Sequence, residues 1–130
     1  PLPPEMEVES QKMLTWLGQQ AEATKGKVVI AAQHIPLFRD DNFPENNAYW
    51  IINAPYARRE EDLLHQLGVK HLLAGHWHIN RLFEKDGITI HVAPATSWLP
   101  FGGKLGFAMH TITPEGNVST EFVPLPDAAP

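Results

Sequence analysis

The sequence predicts an α/β fold, and three observations carry that prediction. An amphipathic stretch ends near Gly26 and is followed by the short apolar run "KVVIAAQ" at 27–33. The same order recurs when a second helical stretch ends at Gly68 and gives way to "VKHLLA" at 69–74. Beyond Asn80 the chain changes to turn-punctuated segments of strand character. Helix, glycine and buried strand in repetition is the pattern of a layered α/β fold whose strands can lie parallel. At 130 residues the chain fits one domain with a hydrophobic core of its own.

Each element follows from its residues. "PLPPE" predicts an irregular proline-rich lead-in over 1–9, since proline lacks the amide hydrogen that a helix interior or a central strand needs. From Ser10, an N-cap candidate, Met13, Leu14, Trp16, Leu17 and Ala21 recur at helical spacing, and Gly26 offers a stop. The run at 27–33 reads as a strand covered on both faces. Next comes a long polar excursion with Pro36, Pro44 and Pro55 among Asp and Asn residues, the mark of an ordered but irregular loop. A second helix is predicted over 58–66, burying Leu63, Leu64 and Leu67, with Gly68 as its left-handed cap. After "VKHLLA", the segments "RLFEK" and "ITIHVA" flank an Asp86-Gly87 turn, and "GFAMHTIT" and "VSTEFVPL" flank Glu115-Gly116-Asn117, as hairpin strands do. The domain proper is assigned to 10–126, with 127–130 a tail.

Composition narrows the function. Ten Lys and Arg against 15 Asp and Glu give a formal charge of −5, and the basic residues are scattered, which argues against nucleic-acid binding. The absence of cysteine excludes disulfides and thiolate metal sites. No apolar run reaches membrane-spanning length, so no membrane partner is expected. The sequence opens on Pro1 rather than Met, so an upstream segment that was removed or left out is allowed for.

Chemistry concentrates in the histidines. The first apolar run leads into His34; the second leads through Gly75 into His76 and His78. Ligands of open α/β sheets collect at the carboxyl ends of the strands, so neighbouring strands would bring three imidazoles to one rim. Imidazole suits Zn, Fe, Ni and Cu. Residues two apart share a face of a straight strand, and Gly75 is expected to turn the backbone so that His76 and His78 serve different ions. His65 and His71 read as surface residues, and His91 and His110 as hydrogen-bonded structural residues.

"VVIAAQHIPLF", followed after a polar excursion by "LGVKHLLAGHWHIN", resembles the C-terminal half of the calcineurin-like metallophosphoesterases, and "QHIPLF" resembles especially the calcineurin-like phosphoesterase-domain-containing subgroup. Gly-His-x-His alone is a weak pattern; joined to an upstream His-x-Pro at a strand end, with matching element order between, it is a specific one. The resemblance implies the C-terminal half of an α/β/β/α sandwich, with a mixed sheet and flanking helices. It implies two divalent or mixed-valence ions of Mn, Fe or Zn, with His34 and His76 on one and His78 on the other. The implied reaction is hydrolysis of a phosphorylated substrate, a phosphomonoester before a phosphodiester, by a metal-bound hydroxide.

The family's N-terminal half carries Asp-x-His, Gly-Asp-x-x-Asp and Gly-Asn-His-Glu/Asp motifs, which supply the bridging carboxylate, the remaining ligands and the histidine that assists the leaving group. None occurs here. The chain is therefore expected to hold half a site, to contribute no catalytic group beyond its metal ligands, and to be inactive without a complementary N-terminal piece. Asn53, Tyr56, Arg58, Trp77 and Asn80 are substrate-binding candidates, and 94–103 is a candidate rim loop; the plainer readings are a solvated helix start for Arg58 and packing for Trp77. Two alternatives stand beside this reading: a noncatalytic interaction module on the same fold, and a mononuclear zinc hydrolase with three histidine ligands.

Overall fold

The computed structural model describes residues 3–126. It is a mixed α/β structure with two helices, a four-stranded mixed sheet and a separate two-stranded hairpin. Helix α1 spans Pro4–Thr24 and α2 spans Ala54–Gln66; the strands are β1 Ala31–Ala32, β2 His71–Ala74, β3 Arg81–Lys85, β4 Ile88–Val92, β5 Gly106–Ile112 and β6 Val118–Pro124. In the larger sheet the order is β1-β2-β4-β3, with β1, β2 and β4 parallel and β3 antiparallel to β4.

The irregular lead-in is corrected. Helix α1 begins at Pro4, because proline at the first helical position gives up an amide that has no intrahelical acceptor there, and its φ is already helical. Glu5 and Glu7 then sit where the helix dipole favours negative charge. The expected apolar face is also largely uncovered: Leu14 is buried, while Met13 and Trp16 are exposed. They overlook a groove of about 670 Å³ between α1, β1 and α2.

Helix α2 starts four residues before the predicted position and ends as predicted. Gly68 takes φ +71°, its amide bonds to the His65 carbonyl and the Val69 amide bonds to the Leu64 carbonyl. That pair of bonds is a Schellman cap, which turns the chain directly into β2. Asp86 and Gly87 both have positive φ, as the two-residue β3–β4 hairpin requires.

Pairing registers divide the larger sheet into two faces. Leu72, Ala74, Ile88, Ile90 and Val92 point to one side and form a core with Leu37, Leu64, Leu67 and Val69. His71, Leu73, Thr89 and His91 point to the other side, where His91 bonds to Thr120 of β6. Helices, sheet and hairpin therefore form successive layers. The predicted strand at 27–33 shrinks to Ala31–Ala32 and pairs on one side only, with β2. Among the described residues it is an edge strand, with Ala31 half-buried and Ala32 exposed, and not a strand covered on both faces.

The excursion between β1 and α2 is ordered by packing. Phe43 and Trp50 are buried against Trp77 and one another, with Phe43 4.4 Å from Trp77 between ring centroids. Asn47 caps the short 3₁₀ helix Ala48–Trp50 through the Tyr49 amide. Arg39 holds the Asn46 side chain and the Asn47 carbonyl, and Asp40 pairs with Arg81 of β3 at 3.1 Å.

Candidate metal centre

The carboxyl ends of β1 and β2 lie side by side because the strands are parallel neighbours. The pairing continues past their last residues: the Gln33 amide bonds to the Leu73 carbonyl, and the Gly75 amide to the His34 carbonyl at 2.9 Å. His34 and His76 thus leave adjacent strands at one rim. Their rings meet edge to face, with His34 Nε2 3.2 Å from His76 Nδ1.

The orientation of each ring has a physical cause. His76 Nε2 lies 2.9 Å from the Tyr49 carbonyl, which only accepts, so the ring proton resides on Nε2 and Nδ1 presents a lone pair toward His34. His78 follows the same logic with its nitrogens exchanged. Its Nδ1 donates to the Trp98 carbonyl at 2.8 Å, leaving Nε2 as the lone-pair nitrogen. A histidine ligand whose second nitrogen donates to a backbone carbonyl is the usual arrangement in metal sites.

The turn that the sequence places at Gly75 is centred instead on His76 and His78. Their φ values are +66° and +56°, in the region that non-glycine residues seldom enter. The Trp77 amide bonds back to the Gly75 carbonyl at 2.7 Å, so Gly75, His76 and Trp77 close a three-residue turn around a positive-φ centre. Such strain gathers at functional sites and is held by surrounding structure. Here the holder is Trp77, fully buried, with its indole N–H bonded to the Trp50 carbonyl at 2.6 Å.

His34, His76 and His78 line one open cavity of about 380 Å³, with Pro94 to Ser97 of the loop after β4 and Gly106 to Ala108 of β5. The rim loop expected at 94–103 contributes its first residues to that wall. No carboxylate is among the lining residues. Among the described residues no group of three or more His, Asp or Glu side chains is placed to hold a metal ion.

The donor set nevertheless suits half a metal site. With metal–nitrogen bonds of about 2.0–2.1 Å, two nitrogens separated by 3.2 Å subtend roughly 100° at an ion, close to tetrahedral and octahedral ligand angles. His78 makes a ring contact with Trp98, at 5.4 Å between centroids.

The substrate-binding candidates do not join the histidines. Trp77 is a core residue, stacked 5.7 Å from Phe83, and offers no surface to a substrate. Tyr56 donates to Glu7 of α1 at 2.8 Å. Arg58 lines a different pocket, over α2 and the β3–β4 turn, and Asn53 accepts amide bonds through its backbone carbonyl at the start of α2. Asn80 is exposed and absent from the cavity wall. Sequence reading missed the carbonyls of Tyr49 and Trp98, because an orienting backbone group leaves no trace in residue type.

His71 is corrected as well. It is partly buried, with Nδ1 3.1 Å from His91 Nε2. His65 is the surface residue expected, 3.7 Å from Glu61. His91 and His110 are the hydrogen-bonded structural histidines expected, both joined to Thr120.

No protein-family model matches the chain, and no curated protein matches it.

Proposed function

We propose that this chain supplies the C-terminal histidine ligands of a dinuclear metallophosphoesterase centre of the calcineurin-like kind, on the C-terminal half of an α/β/β/α sandwich. The observation that carries the reading is the 3.2 Å approach of His34 Nε2 and His76 Nδ1 across the ends of two parallel strands, with a carbonyl fixing the His76 tautomer. His34 and His76 would hold one ion through those nitrogens, and His78 the other through Nε2. Ions of Mn, Fe or Zn, if held by these residues, would supply Lewis-acid chemistry for phosphoester hydrolysis, lowering the pKa of water and offsetting charge on a phosphoryl oxygen.

The chain's own groups act by placement. Tyr49 and Trp98 hold the imidazoles of His76 and His78 in the ligating tautomer, and the buried Trp77 anchors the backbone between these two residues. The open wall at Pro94 to Ser97 leaves room for a phosphorylated substrate. The carboxylates and the leaving-group acid that the chemistry needs would come from a complementary N-terminal piece, and the chain by itself is expected to be inactive.

Among the described residues His34, His76 and His78 are not placed as a three-ligand group, although they line one cavity, which favours two ions over a single three-histidine zinc site. Metal stoichiometry of the completed polypeptide tests this. Two ions per chain agree with the dinuclear reading; one ion points to the mononuclear alternative, and none to the noncatalytic module.

A further inference from the structure

A second group of histidines lies away from the metal rim and joins the two sheets. His71 of β2, His91 of β4, Thr120 of β6 and His110 of β5 form one continuous chain of polar contacts: His71 Nδ1 to His91 Nε2 at 3.1 Å, His91 Nδ1 to Thr120 Oγ1 at 2.7 Å, and Thr120 Oγ1 to His110 Nδ1 at 2.9 Å. His91 is 2% exposed.

Counting protons shows what this chain tolerates. Three contacts need three bridging protons, and the Thr120 hydroxyl supplies one. Neutral histidines complete the set in either direction. In one, His71 donates to His91, His91 to Thr120, and Thr120 to His110; in the other every donor and acceptor is reversed. One added proton breaks no link: on His71 or His110 it fixes the direction, and on His91 it makes the ring a donor to both His71 and Thr120, so the cost of charging His91 is its burial and not a lost contact. Protons on both His71 and His110 leave the Thr120 hydroxyl hydrogen with no acceptor in the chain and place like charges on both sides of His91.

The surroundings supply little compensation. The cross-strand neighbour of His91 on β3 is Leu82 and its partner on β2 is Leu73. The carboxylate on that face of β3 is Glu84, opposite Thr89 and exposed. The titratable groups facing His91 from the packed elements are thus His71 and His110, with Glu84 at the solvent edge.

We propose that the His71–His91–Thr120–His110 chain is an acid-release joint that fastens the β5–β6 hairpin to the larger sheet at neutral pH and frees it when the buried His91, with His110 beside it, takes up a proton. Burial first, then the nearby His71 and His110, pull the His91 ring down to about 4. Burial lowers His110 as well. A base whose folded pKa is depressed binds its proton more readily once released, so attachment is complete above the ordinary histidine pKa and weakens as pH falls toward 4. Gly106 to Ala108 of β5 form part of the wall around His34, His76 and His78, so release would open that cavity. The joint stands independently of the phosphoesterase reading.

Native-state amide exchange of this 130-residue chain at pH 7.5 and pH 5.0 tests the joint. Protection factors, which remove the intrinsic pH dependence of exchange, should fall about thirtyfold for β5 and β6 amides, the linkage expected when one histidine of pKa about 4 recovers its ordinary value near 6.5. Amides of β2 and β4 should hold within about threefold. Thr120→Val, which removes the central link, should lower hairpin protection at pH 7.5 and flatten its pH dependence. Hairpin protection that does not change with pH, or an equal loss in both sheets of the unsubstituted chain, would overturn the proposal whether or not the variant folds.

Discussion

His34 Nε2 and His76 Nδ1 lie 3.2 Å apart although 42 positions separate them in sequence. Parallel pairing of β1 with β2 makes the approach, and the Gly75 amide bonded to the His34 carbonyl locks it. Gly75 sits against the His34 ring, and a Cβ built there would be 3.6 Å from His34 Nδ1, an ordinary contact. Gly75→Ala should therefore fold and bind metal nearly as the parent does, as judged by thermal unfolding and by cobalt(II) absorption in the completed protein.

The positive φ of His76 predicts a trade between stability and function. Glycine enters that region without a Cβ penalty, so His76→Gly should raise stability by about 0.5–1 kcal/mol while removing a ligand. Urea unfolding of the metal-free chain measures the first effect. A variant less stable than the parent would mean that the ring contacts with Tyr49 and Trp50 outweigh the strain.

Asp40 and Arg81 tie the long loop to β3 across a mostly buried pair, the carboxylate 11% and the guanidinium side chain 33% exposed. Asp40→Ala leaves the guanidinium without its partner and should cost about 2 kcal/mol, whereas the double variant with Arg81→Leu should recover part of that loss. A double-mutant cycle in urea gives the coupling directly.

Glu60 is buried and its carboxyl is pushed up to about 7, chiefly by desolvation, with a hydrogen bond from Gln33 opposing the rise. The folded state therefore holds this proton more tightly than the unfolded state between about pH 4.5 and 7, and the residue's contribution declines as pH rises through that window. Glu60→Gln should stabilise the chain by an amount of order 2 kcal/mol at pH 8, and by little near pH 4.5. Unfolding at the two pH values tests the sign.

At Gly106, the first residue of β5, a Cβ would lie 2.3 Å from Phe122 Cε2 and 2.5 Å from the Val123 carbonyl oxygen. The second contact is with backbone and cannot be relieved by rotating a side chain. Gly106→Ala should cost about 2–3 kcal/mol and loosen the hairpin, read as lost amide protection in β5 and β6.

Much of the architecture was legible in the sequence because it rests on local signals. Gly68 capped α2 where its pattern stopped, Asp86-Gly87 made the β3–β4 turn, and the apolar runs at 27–33 and 69–74 marked the parallel pair, although the first forms a strand only at Ala31–Ala32. Coverage was less legible, since a run such as "VVIAA" reads alike in a central strand and an edge strand. Met13 and Trp16 illustrate the same limit: helical periodicity shows which face is apolar and not whether anything packs on it. At the candidate site the histidine types and strand ends were visible. The positive φ of His76 and His78, the carbonyls of Tyr49 and Trp98, and the burial of Trp77 were not, because tertiary packing sets them.

Hydrolysis of an aryl phosphate by the polypeptide completed with its remaining ligands, loaded with manganese, iron or zinc, tests the metal-centre reading most directly. His76→Ala should lower the rate by more than about a hundredfold, beyond the usual effect of losing an orienting partner, with unfolding little changed. His65→Ala, on the exposed face of α2, should leave both unaltered. Equal hydrolysis by the parent and the His76→Ala protein would contradict the assignment of His34 and His76 to a shared ion.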